Sequence, residues 1–158
     1  MESPDIHPKF KFNRNSYSKL ELKELAYSLI KEGEDYENSI GNFLTDWFDG
    51  NTTITLQTSG STGKPKSISL KKQHMVNSAL ATGEFFDLKP GDKALLCLSA
   101  DFIAGKMMLV RAMVLGLELD SVNPSSQPMD NISKTFDFVA MVPLQLENSL
   151  NALHQIKT

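Results

Sequence analysis

Nine consecutive residues, Thr58-Ser59-Gly60-Ser61-Thr62-Gly63-Lys64-Pro65-Lys66, hold four hydroxyls, two glycines, two lysines and one proline. Glycine lets the backbone enter turns that other residues resist. Successive amides in such a turn form a concave nest for an anion. Hydroxyls add short donors and lysine adds a positive charge that reaches phosphate oxygens. The run therefore has the chemistry of a phosphate cradle. It is not a Walker A loop, because only two residues separate Gly60 from Gly63 and Pro65 stands where a Ser or Thr would follow Lys64. It also lacks the G-x-G-x-x-G spacing of a dinucleotide site. The competing reading is a flexible Ser/Gly surface loop without a ligand.

Other reactive side chains are sparse. Cys97 lies in an apolar run with no visible base and reads as a small core residue rather than a nucleophile. His74 and His154 have no second ligand at metal spacing, so no metal site is expected within the chain. Lys106 and Arg111 stand out because they interrupt an otherwise apolar stretch. Five positions apart on a helix, they point in different directions and do not form a clamp by spacing alone. Their stems could simply lie along apolar surface with the heads in water.

The elements that must position these groups follow from periodicity. Residues 53–57 and 66–70 alternate apolar and polar, so the nine-residue run joins two strands. Ser18 and Glu21 make a capping box for a helix striped by Leu20, Leu22, Leu25, Ala26, Leu29 and Ile30, with Gly33 at its stop. Tyr36, Ile40, Phe43, Leu44, Trp47 and Phe48 mark a second helix, read as core aromatics. A helix is expected over 71–86 with Met75, Val76, Ala79, Leu80 and Phe86 inward, then a buried strand over 93–98. An apolar helix over 103–115, a strand from Leu117, a strand over 136–142 and a last helix over 143–156 complete the chain. That last helix carries Leu144, Leu146, Leu150 and Leu153. The order predicts an α/β layer with a largely parallel sheet flanked by helices.

Composition sets the outer bounds. The chain has 158 residues, 41% hydrophobic, with a net charge of −3 and one cysteine. That suits a single cored domain and argues against nucleic-acid or membrane-surface binding and against an internal disulfide. With no apolar run long enough to span a bilayer and no signal-like start, a cytoplasmic protein is expected.

The nine-residue run, in its strand-loop-strand setting, resembles the phosphate-binding signature of the adenylate-forming superfamily: acyl-CoA synthetases, peptide-synthetase adenylation domains and luciferases. Residues 94–111 and 137–143 look like the blocks that follow it. Residues 102–108 and 142–146 most resemble the o-succinylbenzoate–CoA ligases of menaquinone biosynthesis. The resemblance implies ATP, Mg2+ and coenzyme A, with a small carboxylate as acyl substrate. It implies that Thr58, Ser59, Gly60, Ser61, Thr62, Gly63 and Lys66 cradle the ATP phosphates, with Lys66 in the catalytic role at the leaving pyrophosphate. Phe102, Gly105, Lys106 and Arg111 are the implied acyl pocket. It further implies an N-terminal arm over 1–17 and the front part of the AMP-binding large domain over 18–158, divided into a helical lead-in, 18–50, and a phosphate loop with α/β layer, 51–158. The Mg-holding carboxylate, the adenine-stacking strand and the C-terminal lid with its lysine are not in this sequence, so the chain alone is expected to be inactive, with a homodimer possible. Two alternatives stay open: another acyl- or aryl-CoA synthetase or adenylating enzyme, or a non-catalytic phosphate-binding module.

Overall fold

The computed structural model describes residues 5–58 and 63–158. Its centre is a five-stranded sheet in the order β2-β1-β6-β5-β7, in which β1/β6, β6/β5 and β5/β7 run parallel. The strands are β1 (Lys11–Phe12), β2 (Asn15–Ser16), β5 (Lys93–Leu96), β6 (Glu118–Ser121) and β7 (Phe138–Val139). A separate antiparallel pair, β3 (Thr53–Thr58) and β4 (Lys66–Lys71), stands apart from it. The expected α/β layer with a largely parallel sheet is present.

Two helices enter first, α1 (Lys19–Glu32) and α2 (Asp35–Trp47). Ser18 caps α1 through a reciprocal pair: its hydroxyl accepts from the Glu21 amide, and the Ser18 amide donates to the Glu21 carboxylate. α2 is the strongly amphipathic one, burying Ile40, Phe43, Leu44 and Trp47, with the Phe43 and Trp47 rings 5.6 Å apart. After the hairpin come α3 (Lys72–Phe85) and α4 (Ile103–Leu115). α4 is apolar all round and accordingly buried on most of its surface, from Gly105 to Met113. Gly116 ends it in a left-handed turn (φ 74°), where a Cβ would meet the His7 ring 2.3 Å away.

Alternation along β5 divides the core. Ala94 and Leu96 face the main cluster with α2, α3 and α4, while Leu95 and Cys97 face a smaller one with Met129 and Phe136. Strands buried on both faces read as continuous apolar runs, as this one does.

Three expectations are corrected. Residues 5–17 are more than a polar arm: β1 joins the sheet beside β6, and Phe10 and Phe12 are buried. Strands of two residues are too short to show a period. The strand expected over 136–142 is confined to Phe138–Val139. The last helix breaks into α5 (Pro143–Asn148) and a 3-10 helix (Leu150–Gln155) at Ser149, and its leucine stripe faces outward. Leu144 is 57% exposed and Leu150 59%.

A polar grip turns α5 over. Buried Gln145 donates through Nε2 to the Cys97 carbonyl and the Ser125 carbonyl, both at 2.9 Å, and its Oε1 accepts from the Val142 amide. A buried amide with its partners in place fixes the face more firmly than exposed leucines can. Leu20, Leu80 and Phe86, expected inside, are exposed as well. Substituting Leu150 by Gln is therefore expected to change stability by no more than about 0.5 kcal/mol, where a buried leucine truncation costs about 2–5 kcal/mol. Thermal unfolding of the variant checks this.

Candidate phosphate loop and acyl site

The β3–β4 hairpin pairs in strict register from Thr53↔Lys71 at its root to Thr58↔Lys66 at its neck. One face carries Ile54, Leu56, Ile68 and Leu70. At the root that face is buried, with Ile54 1% exposed; nearer the tip Ile68 is 48% exposed. The described outer end of the hairpin therefore projects from the body. At the neck the Thr58 hydroxyl donates to the Lys66 carbonyl at 3.2 Å. Gly63 is left-handed (φ 80°) with open space where a Cβ would sit, so glycine is there for its backbone and not for room. Gly63, Lys64, Pro65 and Lys66 are exposed. Ser59, Gly60, Ser61 and Thr62 lie outside the described residues.

The second group of candidates gathers at the N-terminal end of α4. Phe102 is the N-cap and is 61% exposed. Gly105 is buried hard against the preceding loop: a Cβ there would sit 2.1 Å from the Ser99 oxygen. This close approach brings the 99–101 carbonyls to Lys106. The Lys106 ammonium donates to Ala100 O at 2.5 Å and Asp101 O at 3.2 Å, and lies 5.7 Å from the Phe43 ring centre. Burial pulls this ammonium below the ordinary lysine range, partly offset by the Asp101 and Asp46 carboxylates. Arg111 belongs elsewhere. It sits about 7.5 Å further along the axis, and its Nε donates to the Thr82 hydroxyl of α3 at 3.3 Å. Burial lowers its guanidinium from the ordinary value. Phe102, Gly105 and Lys106 thus share one neighbourhood, and Arg111 packs against a different helix.

A family model described as AMP-binding enzyme matches residues 13–155. The chain belongs to the AMP-binding enzyme family. Among solved structures, an acyl-CoA synthetase (AMP-forming)/AMP-acid ligase II-like protein from Dyadobacter fermentans is 39% identical, with a TM-score of 0.71 over 84% of this chain and 38% of that one. The o-succinylbenzoate CoA synthetase of Bacillus subtilis, in complex with the acyl-adenylate intermediate OSB-AMP, is 20% identical, with a TM-score of 0.55 over 65% of this chain and 29% of that one. The N-terminal subdomain of Klebsiella oxytoca NpsA, in complex with 3-hydroxyanthranilyl-AMSN, is 15% identical, with a TM-score of 0.57 over 98% and 61%. The last two share the fold. No curated protein matches the chain. The chain spans less than two thirds of each of these relatives.

The remaining reactive groups have structural places. Cys97 is buried, its thiol pushed up to about 11 by desolvation, and its Sγ lies 3.4 Å from the Ala140 oxygen. A thiol so placed is not a nucleophile at neutral pH. Among the described residues no group of three or more His, Cys, Asp or Glu could hold a metal ion. No helix of the described residues is long and apolar enough to cross a membrane.

Sequence reasoning gave no sign of the ion pair at the start of α3. Lys72, the first residue of α3, is 4% exposed; its ammonium donates to the Trp47 carbonyl and to Asp49 Oδ1, both at 2.9 Å. A lysine next to two other charged or polar residues, Lys71 and Gln73, carries no sequence signal of burial.

Proposed function

We propose that the chain is the ATP-gripping part of an ATP-dependent carboxylate–CoA ligase whose acid is o-succinylbenzoate, placing it in menaquinone biosynthesis. In the first step a carboxylate oxygen attacks the α-phosphorus of ATP; the bond to the bridging oxygen breaks and pyrophosphate leaves with its electron pair. In the second the thiol of coenzyme A attacks the acyl carbonyl and AMP leaves. The first step brings anions together, so it needs donors already fixed around the leaving group. The hydroxyls of Ser59, Ser61 and Thr62, that of Thr58 once it releases the Lys66 carbonyl, and the amides of Gly60 and Gly63 would donate to the β- and γ-phosphates, with Lys66 taking up charge on the departing pyrophosphate. No step is assigned to Mg2+.

The observation that carries this reading is the projecting hairpin, whose neck is pinned in register and whose residues Gly63 to Lys66 are exposed. For the acid, the support is the resemblance of residues 102–108 and 142–146 together with Lys106. A half-buried ammonium held by backbone carbonyls and a phenyl face keeps attraction for an incoming carboxylate. Exposed Phe102 beside it supplies an aromatic wall for an aryl acid. Arg111, turned to α3, is the weaker of the two cationic candidates for the acyl site.

Calorimetric titration of the chain with ATP and with pyrophosphate tests the phosphate grip, and heat from neither ligand overturns it. The acid is tested on the whole enzyme with a panel of aryl and alkyl acids. The Lys106→Ala enzyme is expected to show a KM for succinylbenzoate raised about tenfold or more, the scale of a charge-assisted hydrogen bond, with the KM for ATP unchanged. An unchanged acid KM removes Lys106 from the pocket.

A further inference from the structure

The hairpin is a cantilever. Among the described residues it pairs only with itself, in a sheet of two strands, and most of its outer half is exposed. Two-stranded ribbons are marginally stable alone, so its direction has to be set at the root. Six residues of strand reach about 20 Å, so a roughly 10° swing at the root moves the tip by roughly 3 Å. Displacements of that size are large for a site that must hold reacting groups in line.

The root is where buried Lys72 pairs with the more exposed Asp49. Lys72 follows β4 directly, and its amide donates to the Thr52 carbonyl, just ahead of β3. Its ammonium reaches back to the Trp47 carbonyl, an end group of α2 left without a helical partner, and lies 6.0 Å from the Trp47 ring centre. Asp49 closes the set: Oδ1 accepts from Lys72 and from the Asn51 amide at 2.7 Å, and Oδ2 accepts from the Asn51 side chain at 2.6 Å. The end of α2, the entry to β3 and the exit of β4 are thus tied to one ammonium–carboxylate pair. Burial raises the Asp49 carboxyl, but the bonds from Lys72 and Asn51 outweigh it and hold it below the ordinary range.

We propose that Lys72 and Asp49 are positioning residues for the phosphate loop, fixing the hairpin's angle so that its tip meets the triphosphate. This rests on the reading of the tip as an ATP site. Lys72→Met keeps the bulk and leaves Asp49 at a side with access to water. Lys72→Arg keeps the charge. Asp49→Asn keeps an acceptor for Lys72 and serves if the Met variant does not fold.

Each variant of the chain is titrated with ATP, and amide exchange is followed over 53–58 and 66–71 and over α4. The expected result for Lys72→Met is ATP affinity down about tenfold and faster exchange confined to the hairpin, with partial recovery in Lys72→Arg. Affinity within twofold of the parent, or exchange accelerated as much in α4 as in the hairpin, overturns the proposal. If the parent chain does not bind ATP, the functional reading fails by itself; the exchange pattern then decides whether the pair sets the hairpin, and unchanged hairpin exchange rejects it.

Discussion

Replacing Lys66 by alanine is expected to weaken ATP and pyrophosphate binding by about ten- to a hundredfold while the melting temperature of the chain stays within about 1 °C. The two halves of this expectation have separate physical grounds. Lys66 is exposed, and its recorded bond at the hairpin neck, from the Thr58 hydroxyl, ends on its backbone carbonyl. Alanine keeps that carbonyl and the Thr58↔Lys66 pairing. A surface substitution that breaks no packed contact stays within about 0.5 kcal/mol. The ammonium, by contrast, would meet a phosphate oxygen in the bound state, and a hydrogen bond between charged partners is worth about 1.5–3 kcal/mol, which converts to the stated range. Calorimetry with ATP at fixed ionic strength reads the affinity and differential scanning calorimetry the stability. Lys64→Ala is the companion variant, since Lys64 shares the loop and its exposure but is not among the residues assigned to the phosphates. Its affinity should change far less. Equal losses in the two variants would mean general attraction by positive charge and would remove Lys66 from its assigned role.

Much of this arrangement is legible in the sequence, and what is not has identifiable physical reasons. The hairpin strands, the capping box at Ser18 and the limits of α4 each follow from local signals, namely alternation, a three-residue spacing and a buried run closed by Gly116. The family followed from nine residues in order. The leucines of α5 misled because helical spacing says which residues share a face, not which face a neighbour covers; Gln145 decides that through partners 20 and 48 positions away. β1 is two residues long and owes its place to β6, more than a hundred positions on. Lys72 is charged by sequence and buried by tertiary contact with Trp47 and Asp49. Of the candidate site, the sequence supplied the candidate residues. That Lys106 is held by the Ala100 and Asp101 carbonyls and Arg111 by Thr82 of α3 required the fold.

Gly105→Ala is expected to lower the melting temperature by about 3–10 °C, although alanine is by itself the better helix former. Propensity alone would stabilise by about 1 kcal/mol. Against that, the new methyl would lie 2.1 Å from Ser99 O, 2.5 Å from Ser99 C and 2.9 Å from Ala100 N. All three are backbone atoms, so no rotamer change can relieve the overlap, and either the loop or the first turn of α4 has to shift. Ala100 is itself 1% exposed, which leaves the loop little freedom to retreat. Overpacking of this kind costs about 1–3 kcal/mol net, and for a domain near this size each kcal/mol lowers the melting temperature by about 2–4 °C. Gly83→Ala provides the contrast. Its methyl would also be crowded, at 2.6 Å, but by the end of the Leu115 side chain, which can turn aside; its loss should be small. The same displacement at Gly105 moves the Ala100 and Asp101 carbonyls that hold the Lys106 ammonium. The whole enzyme carrying Gly105→Ala should therefore lose affinity for the acid as well as stability. Melting curves for the two glycine variants, compared with the parent, check the packing, and a Gly105→Ala curve that overlays the parent would show that the loop and helix do not meet as described.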